Sequence, residues 1–311
     1  MKALKIKSYG GIENLELVAD AQEPTLMDGQ LLVEVKAASI NPIDYKIREG
    51  YLQQMVPLQL PATIGGDFSG IVKKTGNNVN GFKVGDHVYG QAIVLNGGSG
   101  SFAELAATNA SNTALKPQQA DYVEAAALPL AGVSALQAIR TTMNLTQGQK
   151  ILIHGGAGGI GSIAIQIAKS IGAFVATTVS AKDRNFVKEL GADVIIDYHT
   201  QNFEEELKDF DAVFDTAGGE TTDKSFKVLR NGGTLVSLLG QPNGELAKAK
   251  NIKAVAQMTA TTTEHLDLLR QLVDSGKIKV FVDCTFQFDK AKDAFSFAEH
   301  NHPQGKVVVK I

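Results

Sequence analysis

The sequence predicts an α/β chain in which a doubly wound parallel sheet is inserted into a β-rich domain. Three observations predict it. From Lys150 onward, short apolar strand-like runs alternate with amphipathic helical ones. Residues 1–115 are instead cut into strand-like runs by closely spaced turn residues. Residues 281–311 abandon the alternation and close on a β segment with no helix after it.

Each element has its own justification. MKALKI, GQLLVEVKAASI and GDFSGIVKKTG read as strands, separated by turn signals at Asp28-Gly29, Asn77-Asn78, Asn80-Gly81 and Gly85-Asp86. KVGDHVYG sets two valines about a Gly-Asp turn, as in a compact β-barrel, and YKIREGYL supplies a turn or two of helix. The character changes near Pro117. DYVEAAALPLAGVSALQAI is rich in helix formers, interrupted by Pro129 and Gly132. ILIH is a short apolar strand, GSIAIQIAKSIG a helix with an apolar face, FVATTV a strand, KDRNFVKELG a helix ending at Gly191, and DVIIDY a strand. FEEELKDF, AVFDTAGG, TTDKSFKVLRNGG and TLVSLLG continue the pattern as helix, strand, helix, strand. Strands separated by one helix each run parallel, with helices over both faces. VFVDCTFQF and GKVVVKI, strands flanking a helix DKAKDAFSFAEHN, return to the first domain. The expected boundaries are 1–116 with 281–311, and 117–280.

Composition narrows the function classes. A net charge of −3 gives no global pull towards nucleic acid or an anionic membrane. The single cysteine, Cys284, excludes an intramolecular disulfide and a Cys-rich zinc lobe, and suits a reducing cytoplasm. MKALKIKSYG scatters its lysines without an apolar stretch, so no secretory signal is expected, and no run is long enough to span a bilayer.

The chemistry begins at ILIHGGAGGIGSIAIQIAK, residues 151–169. Gly156, Gly158 and Gly161 match G-x-G-x-x-G, with Ala157, Gly159 and Ile160 completing the loop. Among 31 glycines that spacing alone is weak, so context decides. An apolar strand precedes the loop, a helix starts within it, and βαβ alternation follows. One glycine then serves the tight turn, another the approach of a pyrophosphate, and Gly161 the close packing of helix on strand. The helix start offers free N–H groups and a positive dipole to phosphates. A ligand-free turn would gain nothing from GGAGG and lose stability to glycine's entropy.

The ribose is read at the tip of the second strand, where NAD sites carry an acid and NADP sites basic and hydroxyl groups. Here the strand ends near Val179, followed by Ser180, Lys182 and Arg184. Asp183 is expected to lie one step into the next helix, pointing away. The cofactor read from these residues is NADPH.

The chain as a whole resembles the zinc-independent quinone oxidoreductases of the medium-chain dehydrogenase/reductase superfamily. The marks are ASINPIDYKIREG (38–50), GGDFSGIV (65–72), FKVGDHVYG (82–90), GSFAELA (100–106), AAALPLAGVSALQAI (125–139), the glycine loop, LGADVIIDY (190–198), VFDTAGG (213–219) and GKVVV (305–309). The resemblance implies a GroES-like β-barrel catalytic domain, an inserted Rossmann domain, a cleft holding the nicotinamide, and a homodimer. It implies that Asn41 and Asp44 lie near nicotinamide or substrate, and that Tyr198 joins Ser180 and Lys182 around the 2′-phosphate. It also implies that Ala217 and Gly218, with Ser237, Leu239 and Gly240, line the path from adenosine to nicotinamide. Zinc alcohol dehydrogenases of the superfamily carry a catalytic Cys in the segment corresponding to 38–44 and a His-Glu pair where this chain has Gly66-Asp67. Their four-cysteine lobe is replaced by VLNGGSG. No metal site is expected.

Without a Lewis acid, a simple ketone loses its main oxyanion stabilisation. A quinone or an α,β-unsaturated carbonyl accepts hydride at carbon while charge delocalises onto oxygen. The expected reaction is therefore NADPH-dependent reduction of such an acceptor, with Tyr45 and Tyr51 as candidate phenolic hydrogen-bond donors. Two rival classes stay open: an NADPH-binding structural or regulatory protein of crystallin type without turnover, and a zinc alcohol dehydrogenase with unconventional ligands.

Overall fold

The computed structural model describes residues 1–55 and 57–311. The chain packs as two compact units, Met1–Leu130 with Thr261–Gly276 and Val280–Ile311, and Ala131–Ala260 with Lys277–Lys279. The insertion follows the expected plan, but the junctions differ from those at 116/117 and 280/281. Residues 117–130 and 261–276 pack with the first unit for identifiable reasons. The helix Tyr122–Ala126 is capped by Asp121, which accepts from Glu124 N at 2.8 Å, and Ser69 Oγ donates to Tyr122 O at 2.5 Å. The helix Thr263–Asp274 is held by the fully buried Tyr89, whose hydroxyl donates to Leu266 O at 2.5 Å.

The first unit is built on a seven-stranded, mostly antiparallel sheet. Its order runs Val282–Gln287, Lys306–Lys310, Gln30–Ser39, Asp67–Thr75, His87–Gln91, Thr113–Leu115, with Leu105–Asn109 also paired to Gln30–Ser39. Leu31, Val33 and Val35 alternate towards a core shared with Phe68, Val72, Phe102, Phe295, Val307 and Val309. The closing strand pairs antiparallel with Gln30–Ser39, Val308 opposite Ser39. That register carries Lys306 to the end of the strand where the helix Pro42–Glu49 begins.

This helix starts where the sequence says it can. Pro42 occupies the first helical position, and Asn41 N–H donates to Asp44 Oδ2 at 2.8 Å. It stops at Gly50, whose φ of 86° closes the C-terminus. Near that end the buried Arg48 guanidinium bonds Glu299 and donates to Gly10 O at 3.0 Å, tying helix, N-terminal loop and the helix Ala291–His300 together.

The second unit holds a six-stranded parallel sheet. Its order is Val194–Asp197, Phe174–Val179, Lys150–His154, Phe210–Asp215, Leu229–Ser237, Lys253–Ala256. The winding reverses between Lys150–His154 and Phe210–Asp215, the switch point where open α/β sheets bind ligands at their carboxyl ends. One element differs from expectation. TTDKSFKVLRNGG is helical only over Glu220–Val228, and Leu229 already pairs with Phe210. The register then shifts, with Gly232 at a φ of 76°, so RNGG forms a bulge inside a strand rather than the end of a helix. No helix among the described residues is long and apolar enough to cross a membrane.

Candidate active site

In the second unit the glycines take distinct parts. The left-handed turn off the strand is made by Gly155, with a φ of 70°, which lies just outside the G-x-G-x-x-G spacing. Its N–H donates to Thr178 O at 3.2 Å, fastening the loop to the next strand. A Cβ on Gly156 would lie 2.1 Å from Thr177 Oγ1, and one on Gly161 would lie 2.2 Å from Gly155 O. These two glycines let helix and strand approach closely. Gly158, by contrast, faces space: its Cβ would meet only Gly155 O at 3.5 Å. Gly158 caps the helix Gly159–Ile171, so Gly159, Ile160 and Gly161 present the first-turn N–H groups beside that opening, next to the partly buried Ala157. This is the cradle a pyrophosphate requires.

The next two strands out from Lys150–His154, Phe174–Val179 and Val194–Asp197, bring the other expected residues to the same edge. Val179 and Asp197 are paired, so Ser180, Lys182 and Arg184 emerge beside Tyr198 and His199. Lys182, Arg184 and Tyr198 are exposed, and the Tyr198 and His199 rings lie 4.3 Å apart. Arg184 donates to Gln201 Oε1 at 3.3 Å. Asp183 does not point away. It is 5% exposed in the short turn Ala181–Asp183 and its Oδ2 accepts from Ser180 Oγ at 2.5 Å. The turn ending in a helix start folds its carboxylate back towards the strand tip and uses the serine hydroxyl that the sequence reading assigns to phosphate.

Across the switch point, Asp215 organises the AGG segment. Its Oδ1 accepts from Ala217 N and Gly218 N at 2.9 Å each, and its Oδ2 from the Thr222 hydroxyl. Thr216 Oγ1 donates to His154 O at 2.7 Å. Ser237 is buried and accepts from Leu239 N at 3.2 Å, which leaves Leu239 and Gly240 exposed at the end of their strand. Beneath the loop, His154 is wholly buried between Thr178 Oγ1 and Ser225 Oγ, 3.0 Å from each. Burial pushes its pKa down to about 4, against the pull of Asp215 and Glu204. It is a neutral packing residue at neutral pH.

In the first unit, Asn41 and Asp44 are buried within a polar cluster. Lys306 Nζ donates to Ile40 O at 2.5 Å and to Asn41 Oδ1 at 2.6 Å. Asn41 Nδ2 donates to Asp67 Oδ2 at 2.9 Å, while Gln91 Nε2 donates to Asp67 Oδ1 at 2.8 Å. Leu130 N–H reaches both Asp67 oxygens, at 3.2 and 3.1 Å. Asn41 thus has both ends of its amide engaged by the protein. Tyr45 is half-buried; burial, then Glu299, Asp44 and Glu49, raise its pKa and keep the phenol protonated. Tyr51 is 76% exposed just beyond the helix.

Comparison with known proteins now adds to the geometry. Residues 27–118 match the model of the alcohol dehydrogenase GroES-like domain, and residues 190–309 that of a zinc-binding dehydrogenase. The chain is 37% identical over 317 residues to a 2-methylene-furan-3-one reductase of Solanum lycopersicum, covering 99% of this chain and 79% of that protein. It is 38% identical over 322 residues to an Arabidopsis thaliana protein named NADPH-dependent alkenal/one oxidoreductase, chloroplastic, with the same coverage. The chain belongs to the medium-chain dehydrogenase/reductase superfamily. Among solved structures of this superfamily, the quinone oxidoreductase from Coxiella burnetii superposes with a TM-score of 0.92 at 36% identity, covering 100% of this chain and 99% of that one. The Escherichia coli quinone oxidoreductase complexed with NADPH superposes with a TM-score of 0.89 at 28% identity, covering both chains fully.

A superfamily matched by a zinc-binding dehydrogenase model raises the question of zinc. The donor set does not fit it. Among the described residues no group of three or more His, Cys, Asp or Glu side chains is placed to hold a metal ion. Gly66 contributes no ligand, and Asp67 is already surrounded by Asn41, Gln91 and Leu130. Sequence reasoning missed Gly155, Asp215, His199 and Lys306. The doubled glycine of GGAGG and the aspartate of FDTAGG were available signals; Lys306, remote in sequence from Asn41, offered none.

Proposed function

We propose that the chain transfers hydride from NADPH to a quinone or an α,β-unsaturated carbonyl without a metal ion. The observation that carries this is the open backbone at Gly158, at the switch point of the parallel sheet, with Lys182 and Tyr198 at the two strand tips beside it. Bound NADPH supplies a hydride. With an enone, the hydride adds to the β-carbon, the π electrons move onto the carbonyl oxygen, and the α-carbon takes a proton. With a quinone, hydride and proton together give the hydroquinone. In neither case is a Lewis acid needed, because the charge is delocalised as it forms.

The protein's own part is binding and orientation. The glycine loop and helix start hold the pyrophosphate, and Lys182, Arg184 and Tyr198 favour the 2′-phosphate. Ser180 contributes through its backbone or by exchanging Asp183 for phosphate. Tyr45 and Tyr51 are phenols on one segment, available to donate to a developing oxyanion. Asn41 and Asp44 act from within, by holding the start of that segment. The names of the two plant relatives favour enones over quinones as acceptors, and the chain is assigned to the cytoplasm as a homodimer.

The test is NADPH consumption across quinones, short enals and longer enones, with and without chelator. Turnover of at least one activated acceptor, insensitive to chelator, is expected. Chelator-sensitive turnover with stoichiometric zinc would favour the alcohol dehydrogenase reading. Tight NADPH binding with no turnover would favour a crystallin-type role.

A further inference from the structure

Asp44, Asp67 and Lys306 form a buried group of ionisable side chains that does not balance. Asp44 and Asp67 are fully buried and Lys306 is nearly so. If all were charged, two carboxylates and one ammonium would leave an uncompensated negative charge away from water, a costly state. The hydrogen bonds decide which acid gives way. Asp67 is surrounded by donors, Asn41 Nδ2, Gln91 Nε2 and Leu130 N–H, all of which favour its ionised form. Asp44 receives only Asn41 N–H, on Oδ2, and its buried Oδ1 has no partner. Lys306 spends donors on Ile40 O and Asn41 Oδ1.

We propose that Asp44 is held as the neutral acid, its proton on Oδ1, and that its ionisation is a pH-sensitive switch at the start of the helix Pro42–Glu49. The groups facing it are consistent. Asp67, from the strand Asp67–Thr75, disfavours its charge; Lys306, from the closing strand, favours it. Farther along the helix, Arg48 is occupied by Glu299 and Glu49, and Tyr45 stays protonated. Burial is the largest influence and lifts Asp44 to about 7 from its usual 3.8. The neutral acid keeps the bond from Asn41 N–H to Oδ2 that starts the helix. The anion places charge on an oxygen with no donor and repels Asp67, so it strains the junction of Asn41, Lys306 and the segment bearing Tyr45 and Tyr51.

The sign follows from proton counting. Asp44 binds its proton more tightly folded than unfolded, so its contribution to stability is full below about pH 4 and lost as pH rises to about 7. Asp44→Asn carries an amide isosteric with the neutral acid and cannot ionise. Melting of the full chain is followed from about pH 5 to about pH 9. Relative to Asp44→Asn, the wild type is expected to lose about 3–5 °C across that window. A variant that melts lower than the wild type at every pH, with a parallel slope, overturns the proposal, because Asp44 would then act as an anion. Should the variant fail to fold, infrared difference spectroscopy of the wild type decides. A buried carboxylic-acid C=O band that disappears between about pH 6 and about pH 9 supports the neutral acid, and its absence at the lower pH overturns it.

A third readout rests on the proposed reduction: the kcat/KM profile should lose its alkaline limb in Asp44→Asn. A wild-type limb retained in the variant overturns the link between switch and segment. If no acceptor is turned over at all, the proposed function fails while melting and infrared still decide the protonation state.

Discussion

Replacing Gly158 with alanine separates phosphate binding from folding at the glycine loop. Gly158 has a φ of −74° and a ψ of 173°, extended backbone that any residue adopts. The added methyl meets only Gly155 O, at an ordinary contact distance of 3.5 Å. Two stability effects then oppose each other. Losing glycine's freedom in the unfolded chain stabilises by about 0.4–1 kcal/mol. Alanine is a poorer helix cap than glycine by roughly 0.5–1 kcal/mol. The net change is close to zero. The methyl nonetheless fills the space through which a phosphate reaches the helix N–H groups. Losing one charge-assisted hydrogen bond there costs about 1.5–3 kcal/mol, or about a 10- to 150-fold rise in the Kd for NADPH. Gly161→Ala is the opposite case. Its methyl would sit 2.2 Å from Gly155 O and 2.7 Å from Gly156 Cα, backbone that cannot swing aside. Overpacking of that kind costs about 1–3 kcal/mol of stability. Thermal melts without cofactor and fluorescence titration with NADPH measure both quantities. Wild-type NADPH affinity in Gly158→Ala, or equal destabilisation of the two variants, would refute the assignment of roles.

Other substitutions test the remaining parts. Lys182→Ala should raise the KM for NADPH by about 10- to 150-fold and leave that for NADH nearly unchanged; equal effects on both would remove the lysine from the 2′-phosphate corner. Arg48→Ala removes a buried guanidinium and leaves the partly exposed Glu299 without its partner, so it should cost about 1–3 kcal/mol in urea unfolding; a loss below about 0.5 kcal/mol would show that the pair is solvated. His154→Leu removes a side chain that is neutral when folded but protonated when unfolded below its usual 6.5. Relative to His154→Leu, the wild type should therefore lose on the order of a few kcal/mol as pH falls from about 6.5 to about 4. Parallel slopes would show that His154 does not titrate differently in the two states.

Between Lys150 and Ser237 the alternation of strands and helices was legible from the sequence period, whereas the helix Gly244–Ala249, the strand Lys253–Ala256 and the helix Thr263–Asp274 were not anticipated. The glycine loop was legible for a local reason: strand, turn and helix lie within 151–169, so every partner is a near neighbour in sequence. Even there, the residue in left-handed conformation was Gly155 rather than a glycine of the spaced motif, because the turn completes itself before the helix starts. Asp183 shows the next limit. Whether its carboxylate points out or back onto Ser180 depends on a single short turn, which composition does not specify. RNGG misled for a similar reason, since a glycine pair serves a helix end and a strand bulge equally well. The cluster of Asn41, Asp67 and Lys306 was the least legible. Its members come from three distant segments, and only the register of Val308 opposite Ser39 brings the lysine to the amide.

The two buried titrating groups oppose each other in pH. Asp44, in the first unit, holds its proton at the expense of stability as pH rises from about 4 to about 7. His154, in the second, stays neutral at the expense of stability as pH falls from about 6.5 to about 4. Over the shared window the two slopes have opposite signs and partly cancel in any measurement that reports the whole chain. A flat pH profile of global melting would thus arise from two steep contributions rather than from none. The single variants expose them: Asp44→Asn leaves the acid-side loss due to His154, and His154→Leu leaves the alkaline-side loss due to Asp44. Because one group lies in the helix that carries Tyr45 and leads to Tyr51, and the other lies under the phosphate loop, alkaline pH should weaken catalysis first and acid pH should weaken cofactor binding first.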